Sequence, residues 1–169
     1  MMNKALLKNI IVSINGSQSS IHAAMYGIML AKQYGCTLKI IFVVDTATIK
    51  FLMASKFFVP EERDSYVEAL RKDGRTYLDY VEKLASSKGV KIQTELLEGS
   101  VCSSVIKAAD DFKADMLLIG GKENKSNITP FSESRKNIVA TAREEIMNFA
   151  KCPVLVIHKP EIEALFKIS

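Results

Sequence analysis

Five short runs of apolar, largely β-branched residues punctuate this chain, and longer stretches of helical periodicity separate them. The runs are Lys8–Ile14, Thr37–Val44, Lys91–Leu97, Met116–Ile119 and Val154–His158. Most are continuous rather than alternating, which is the pattern of strands covered on both faces. Between them, Ile21, Met25, Ile28 and Lys32 mark one face of a first helix, and Tyr66, Leu70, Tyr77, Val81 and Leu84 one face of a second. Val105, Ala109 and Phe112 mark a third, and Ile138, Ala142, Ile146 and Phe149 a last. Strands alternating with helices imply an α/β fold: a three-layer sandwich with a five-stranded, mostly parallel sheet, right-handed crossovers and helices on both faces.

Punctuation agrees with this order. Gly35 and Gly89 follow the first and second helices, Pro60-Glu61-Glu62 opens the second, Ser100 precedes the third, and Pro153 stops the last before a new strand. The 169 residues suit a single domain, with a core from about 8 to 159 and a tail from 160 to 169. In that tail Ile162, Leu165, Phe166 and Ile168 follow a helical spacing, so it is expected to fold over the sheet or over a dimer seam, and an exposed Phe166 would mark a partner site. Thr46–Val59, with Ile49, Phe51, Leu52, Met53, Phe57 and Phe58, reads as a loop or short helix packed at the sheet edge; the sharper reading is an apolar lid.

Composition narrows the function. A net charge of +4, from 23 basic and 19 acidic residues spread along the chain, forms no basic stripe, so no nucleic-acid partner is expected. No apolar run approaches a membrane span, and Lys4 and Lys8 precede too short a run for a signal peptide. Cys36, Cys102 and Cys152 stand singly among apolar residues and read as buried thiols, which with the missing export signal places the chain in the cytoplasm. They suggest neither a disulfide framework nor a metal site. No P-loop, dinucleotide fingerprint or nucleophile elbow is present. His22 and His158 read as surface or edge histidines, and Asp110-Asp111 and Glu144-Glu145 as solvated helix faces. No catalytic constellation emerges.

In an open α/β sheet, ligands bind beyond the carboxyl ends of the strands where the strand order reverses. Asn15-Gly16-Ser17, Val43–Thr46 and the segment from Gly120 onward occupy those ends. The first is a turn with free N–H groups at a helix start, and Gly120-Gly121-Lys122 allows a close backbone approach.

Asn9–Gly35, Phe42-Val43-Val44-Asp45, Gly99-Ser100, Ala114–Gly120 and Cys152–Ile157 together resemble the universal stress protein family over nearly the whole chain. The resemblance implies an adenine-nucleotide-binding type of sandwich and a homodimer that pairs the last strands, here Val154, Leu155, Val156, Ile157 and His158. The nucleotide-binding branch of that family carries G-x-x-G, nine residues, then G-[ST]. Gly120 matches the first glycine, but Glu123 and Glu133 stand at the later two, with Ser134 at the hydroxyl position. A count back from Pro153 puts the final pair at Ala140-Thr141 instead, and a last helix extended back to about Ser132 reconciles the two.

Two glutamates beside a polyphosphate oppose it by about 1–3 kcal/mol per close pair. Asn15 replaces the aspartate usual at the first turn, while Lys122, Lys125, Arg135 and Lys136 could neutralise phosphate. The resemblance thus implies a regulatory or protein-interaction module, with an unidentified protein partner and weak or absent ATP binding. The alternative is an ATP-binding member, taking ATP or ADP with magnesium and hydrolysing it slowly, at Asn15, Val43, Gly120, Gly121, Lys122, Ser134 and Arg135. In that case Val43 would line the adenine pocket. An adenylating enzyme of related fold is disfavoured by the missing pyrophosphate motif.

Overall fold

The computed structural model describes residues 5–54, 59–122 and 141–169. In chain order these form β1 (Asn9–Ile14), α1 (Gln18–Tyr34), β2 (Thr37–Val44), α2 (Thr46–Ala54), α3 (Pro60–Ser87), β3 (Ile92–Glu98), α4 (Val101–Asp111), β4 (Met116–Gly120), α5 (described over 141–149), β5 (Val154–Ile157) and α6 (Ile162–Ile168). The five strands make one sheet in the order β3-β2-β1-β4-β5, and every pairing is parallel.

The continuous apolar runs become the central strands because each strand alternates its side chains between two covered faces. Ile10, Val12, Ile14, Leu38, Ile40, Phe42, Val44 and Leu118 pack in one cluster with α1, α3 and α6. Ile11, Ile41, Val43, Leu117 and Ile119 pack in the other, with Val105, Ala108 and Ala109 of α4 and Ile146 of α5. At the amino end of the sheet the Asp115 carboxylate accepts from the backbone N–H of Lys8 (2.8 Å) and of Asn9 (2.9 Å), fixing the register of β1 on β4. Gly35 ends α1 in the left-handed conformation, as its position implied.

Several expectations need correction. β1 starts at Asn9, β3 runs to Glu98 and β5 stops at Ile157, so His158 lies one residue beyond the last strand. Tyr66 and Phe149, assigned to inward faces, are exposed; Phe149, 67% exposed, sits in the last turn of α5. Lys32 points outward and donates to the Ser169 carbonyl. The three cysteines are half-buried, not buried. His22 is not a surface histidine: it is 6% exposed, because α6 folds across α1 and covers it.

The segment after β2 is the short helix α2, which inserts Ile49 into the core and turns Phe51 outward, 76% exposed. Phe57 and Phe58 lie outside the described residues. The tail does form a helix, but it docks on α1 rather than over the sheet. Phe166, 5% exposed, and Ile162 complete the core there, so the condition for a partner site at Phe166 is not met. The proposed start of the last helix near Ser132 lies outside the described residues.

Candidate functional site

The strand order reverses between β1 and β4, whose next elements depart to opposite faces of the sheet. That reversal opens the crevice in which α/β proteins hold their ligands. The residues at its lip are Asn15–Ser20 from the β1–α1 turn and Gly120–Lys122 from the end of β4.

The turn is locked by its own side chains. Asn15 Oδ1 accepts from the Ser17 N–H (3.0 Å), and Ser17, the N-cap of α1, accepts on its hydroxyl from the Ser20 N–H (3.2 Å). The buried Ser20 hydroxyl donates to the Ser17 carbonyl (2.8 Å) and accepts from the Asn15 N–H (3.2 Å). Ser17 Oγ and Ser19 Oγ lie 3.2 Å apart. Gly16 has φ of 81°, and a Cβ there would stand 2.5 Å from the Tyr77 ring, so the position requires glycine on two counts.

Gly120 brings β4 against this turn. A Cβ on it would lie 2.6 Å from both Ser19 C and Ser20 N, so only glycine lets the strand end approach the first turn of α1 so closely. Gly121 donates its N–H to the Ile157 carbonyl (2.8 Å) and lies under the His158 imidazole, which a Cβ would strike at 2.2 Å. Lys122 is exposed. Of the residues singled out in the sequence, Asn15 lies in the turn against which Gly120 packs, and Gly121 faces His158. Val43 is buried toward α4 and α5, on the sheet face away from α1. Glu123, Glu133, Ser134 and Arg135 lie outside the described residues, as does Ala140 of the competing register; its Thr141 opens the described part of α5.

One residue of the lip escaped the sequence reading. Arg143, on α5, donates through Nε to the Gly120 carbonyl (3.0 Å) and through a terminal nitrogen to the Gly121 carbonyl (3.3 Å). The signal was its spacing, three residues before the buried Ile146 and so on the same helical face. Asp45, at the end of β2, faces its own helix instead: its carboxylate accepts from the Thr48 N–H (3.0 Å) and hydroxyl (2.6 Å) and starts α2.

A second polar cluster flanks the crevice on α1. Glu163 of α6 accepts from Gln18 Nε2 (3.2 Å) and lies 2.7 Å from His22 Nε2. Bonds from His22 first, then Gln18, hold the Glu163 carboxyl below the usual carboxylate range. Burial pushes the thiols of Cys36, Cys102 and Cys152 up, which keeps them protonated and poorly nucleophilic. Among the described residues no group of three or more His, Cys, Asp or Glu could hold a metal ion, and no helix is long and apolar enough to cross a membrane.

Comparison with known proteins places this geometry. A universal stress protein of Methanocaldococcus jannaschii is 32% identical over 160 residues, spanning 94% of this chain and 86% of its own. A structure from the universal stress protein family of Burkholderia pseudomallei superposes with a TM-score of 0.68 at 24% identity, covering 91% of this chain and 98% of that one. A family member from Arabidopsis thaliana with AMP bound superposes with a TM-score of 0.61 at 14% identity, covering 89% and 90%. The universal stress protein family profile itself matches residues 7–158. With the resemblance of its segments, the reversed strand order and this match in agreement, the chain belongs to the universal stress protein family.

Proposed function

We propose that this chain is a regulatory universal stress protein that works inside the cell as a homodimer and binds an adenine nucleotide weakly in the crevice between β1 and β4. One observation carries the reading. Gly120 lies in backbone contact with the capped first turn of α1, which sets two strand ends, the hydroxyls of Ser17 and Ser19 and the peptide of Gly120-Gly121 at a single lip. A helix start so arranged suits a phosphate. The AMP bound by the Arabidopsis relative of the same fold supports the ligand class.

The weakness of binding comes from the sequence. Glu123 and Glu133 stand where the nucleotide-binding branch has glycine, and each adds bulk and negative charge beside a polyphosphate. Dimerisation is supported by the position of β5 at the sheet edge, where among the described residues it pairs with β4 alone. The protein's output then passes through a protein partner rather than through a reaction product.

Calorimetric titration of AMP, ADP and Mg-ATP into the wild-type chain and into Glu123→Gly/Glu133→Gly tests the reading. The expected result is weak wild-type binding and an ATP affinity in the variant higher by roughly fivefold to a hundredfold, the equivalent of about 1–3 kcal/mol of relieved repulsion. Tight wild-type Mg-ATP binding would favour the nucleotide-hydrolysing alternative. No binding to either protein would leave only the interaction module.

A further inference from the structure

The helices α1, α3 and α6 leave a groove between them, on the outer side of α1. It encloses about 600 Å³, a size that takes a small organic molecule. Met25 and the Phe166 ring, both buried, line it with the half-buried Ile21 and Leu84, and the Tyr80 ring stands at its side. α6 lies beyond residues 7–158, the part of the chain that matches the family, so this third wall lies outside the shared domain.

The groove carries charge at two places. At one, Glu163 is engaged by Gln18 and His22, and Lys167, one turn further along α6, offsets its charge. At the other stands Lys88, half-buried at the end of α3, its ammonium 4.7 Å from the centre of the Phe166 ring. Arg71, Arg75, Lys39, Lys107 and Lys151 each meet a carboxylate. The partner of Lys88 among the described residues is that neutral ring, which holds the ammonium over apolar surface without cancelling its charge.

We propose that this groove binds a small aliphatic carboxylic acid, with its carboxylate on Lys88 and its chain along Ile21, Met25, Leu84 and Phe166. Two features select that class. The floor is largely aliphatic and includes a methionine, whose unbranched thioether adapts to a flexible chain. The charge left over is that of one ammonium, which matches a monoanion; a phosphate dianion needs a second cation, and Lys167 already answers Glu163. An acid seated there touches all three helices and braces α6 on α1, so it stabilises the fold in proportion to its occupancy.

The test is calorimetry of octanoate, 1-octanol and butyrate with the wild type, Lys88→Gln and Lys88→Arg, the site being located by NMR shifts of the Ile21, Met25 and Leu84 methyl groups. Octanoate is expected to bind the wild type roughly tenfold more tightly than octanol, the effect of one charge-assisted hydrogen bond. Butyrate should bind at least about tenfold more weakly than octanoate, because it leaves most of the apolar floor uncovered. Lys88→Gln should bring octanoate down to the level of octanol, and Lys88→Arg should keep the preference. Equal wild-type binding of octanoate and octanol would overturn the proposal. So would an octanoate preference that survives Lys88→Gln, methyl shifts confined to other residues, or no octanoate binding at millimolar concentration. The wild-type comparison needs no variant, so it decides even where Lys88→Gln fails to fold.

Discussion

The two faces of the sheet are equally dry at their centres and differently finished outside. Ile10, Val12, Ile40 and Leu118 on the α1 face and Ile11, Ile41 and Leu117 on the α4–α5 face are all fully buried. On the first face, however, a further layer is laid over α1. Ile162 and Phe166 of α6 pack on it, Glu163 engages Gln18 and His22, and Lys88 lies 4.7 Å above the Phe166 ring. On the second face no such layer is seen among the described residues: Met147 and Phe149 of α5 are exposed, Phe149 beside Cys102, Ile106 and Asp110 of α4. One layer of helix suffices to dry a sheet. The second layer turns α1 into a helix buried on several sides, from Ala23 and Ala24 to Gly27, and it is α1 that carries the first turn of the crevice.

Removing the anchor of the outer layer should have the largest effect on the first face. Phe166→Ala should cost about 3 kcal/mol, or a fall of roughly 6–12 °C in Tm for a chain of this size, read by thermal denaturation. An unchanged Tm would mean that α6 does not seal α1.

The next contrast is between neighbours in one peptide. A Cβ at Gly120 meets backbone of α1, whereas at Gly121 it meets the exposed His158 side chain, which can turn away. Gly120→Ala should therefore destabilise by about 1–3 kcal/mol and Gly121→Ala by well under 1 kcal/mol in denaturant titrations. Equal costs would erase the difference between a rigid α1 face and a yielding α5 face.

The smallest effect is electrostatic. Because the folded state holds the Glu163 carboxyl below its ordinary value of 4.5, its contribution to α6 docking is complete above that value. It fades as acidification carries the pH through the lowered folded value. Hydrogen-exchange protection of α6, relative to α4, should fall as the pH is lowered from above 4.5 through the lowered folded value, and Glu163→Gln should flatten that dependence.

Much of this architecture was legible in the residues. The strand runs survive to within a residue at each end because a doubly covered parallel strand has no polar side to blur its limits. The crevice followed from them, since the reversal of strand order fixes which loops converge. What stayed hidden depended on distant partners. His22 reads as a surface residue until Glu163, 141 residues away, is placed over it. Phe149 sits in phase with Ile146 but in the final turn of its helix, outside the cover of the sheet. Arg143 lay in a charged stretch with Glu144 and Glu145, and only its phase with Ile146 separates it from a solvated face. No local pattern marks a cation whose partners are carbonyls more than twenty residues earlier.

If ligand recognition happens on the α1 side of the β4 end, an amide-resolved NMR titration of the wild-type chain with AMP reads it directly. Shifts concentrated at Gly16, Ser17, Ser19, Gly120 and Gly121, saturating with a single weak affinity, are the predicted result. Shifts confined to the exposed surface of α4 and α5 around Phe149, or none at millimolar AMP, would contradict it.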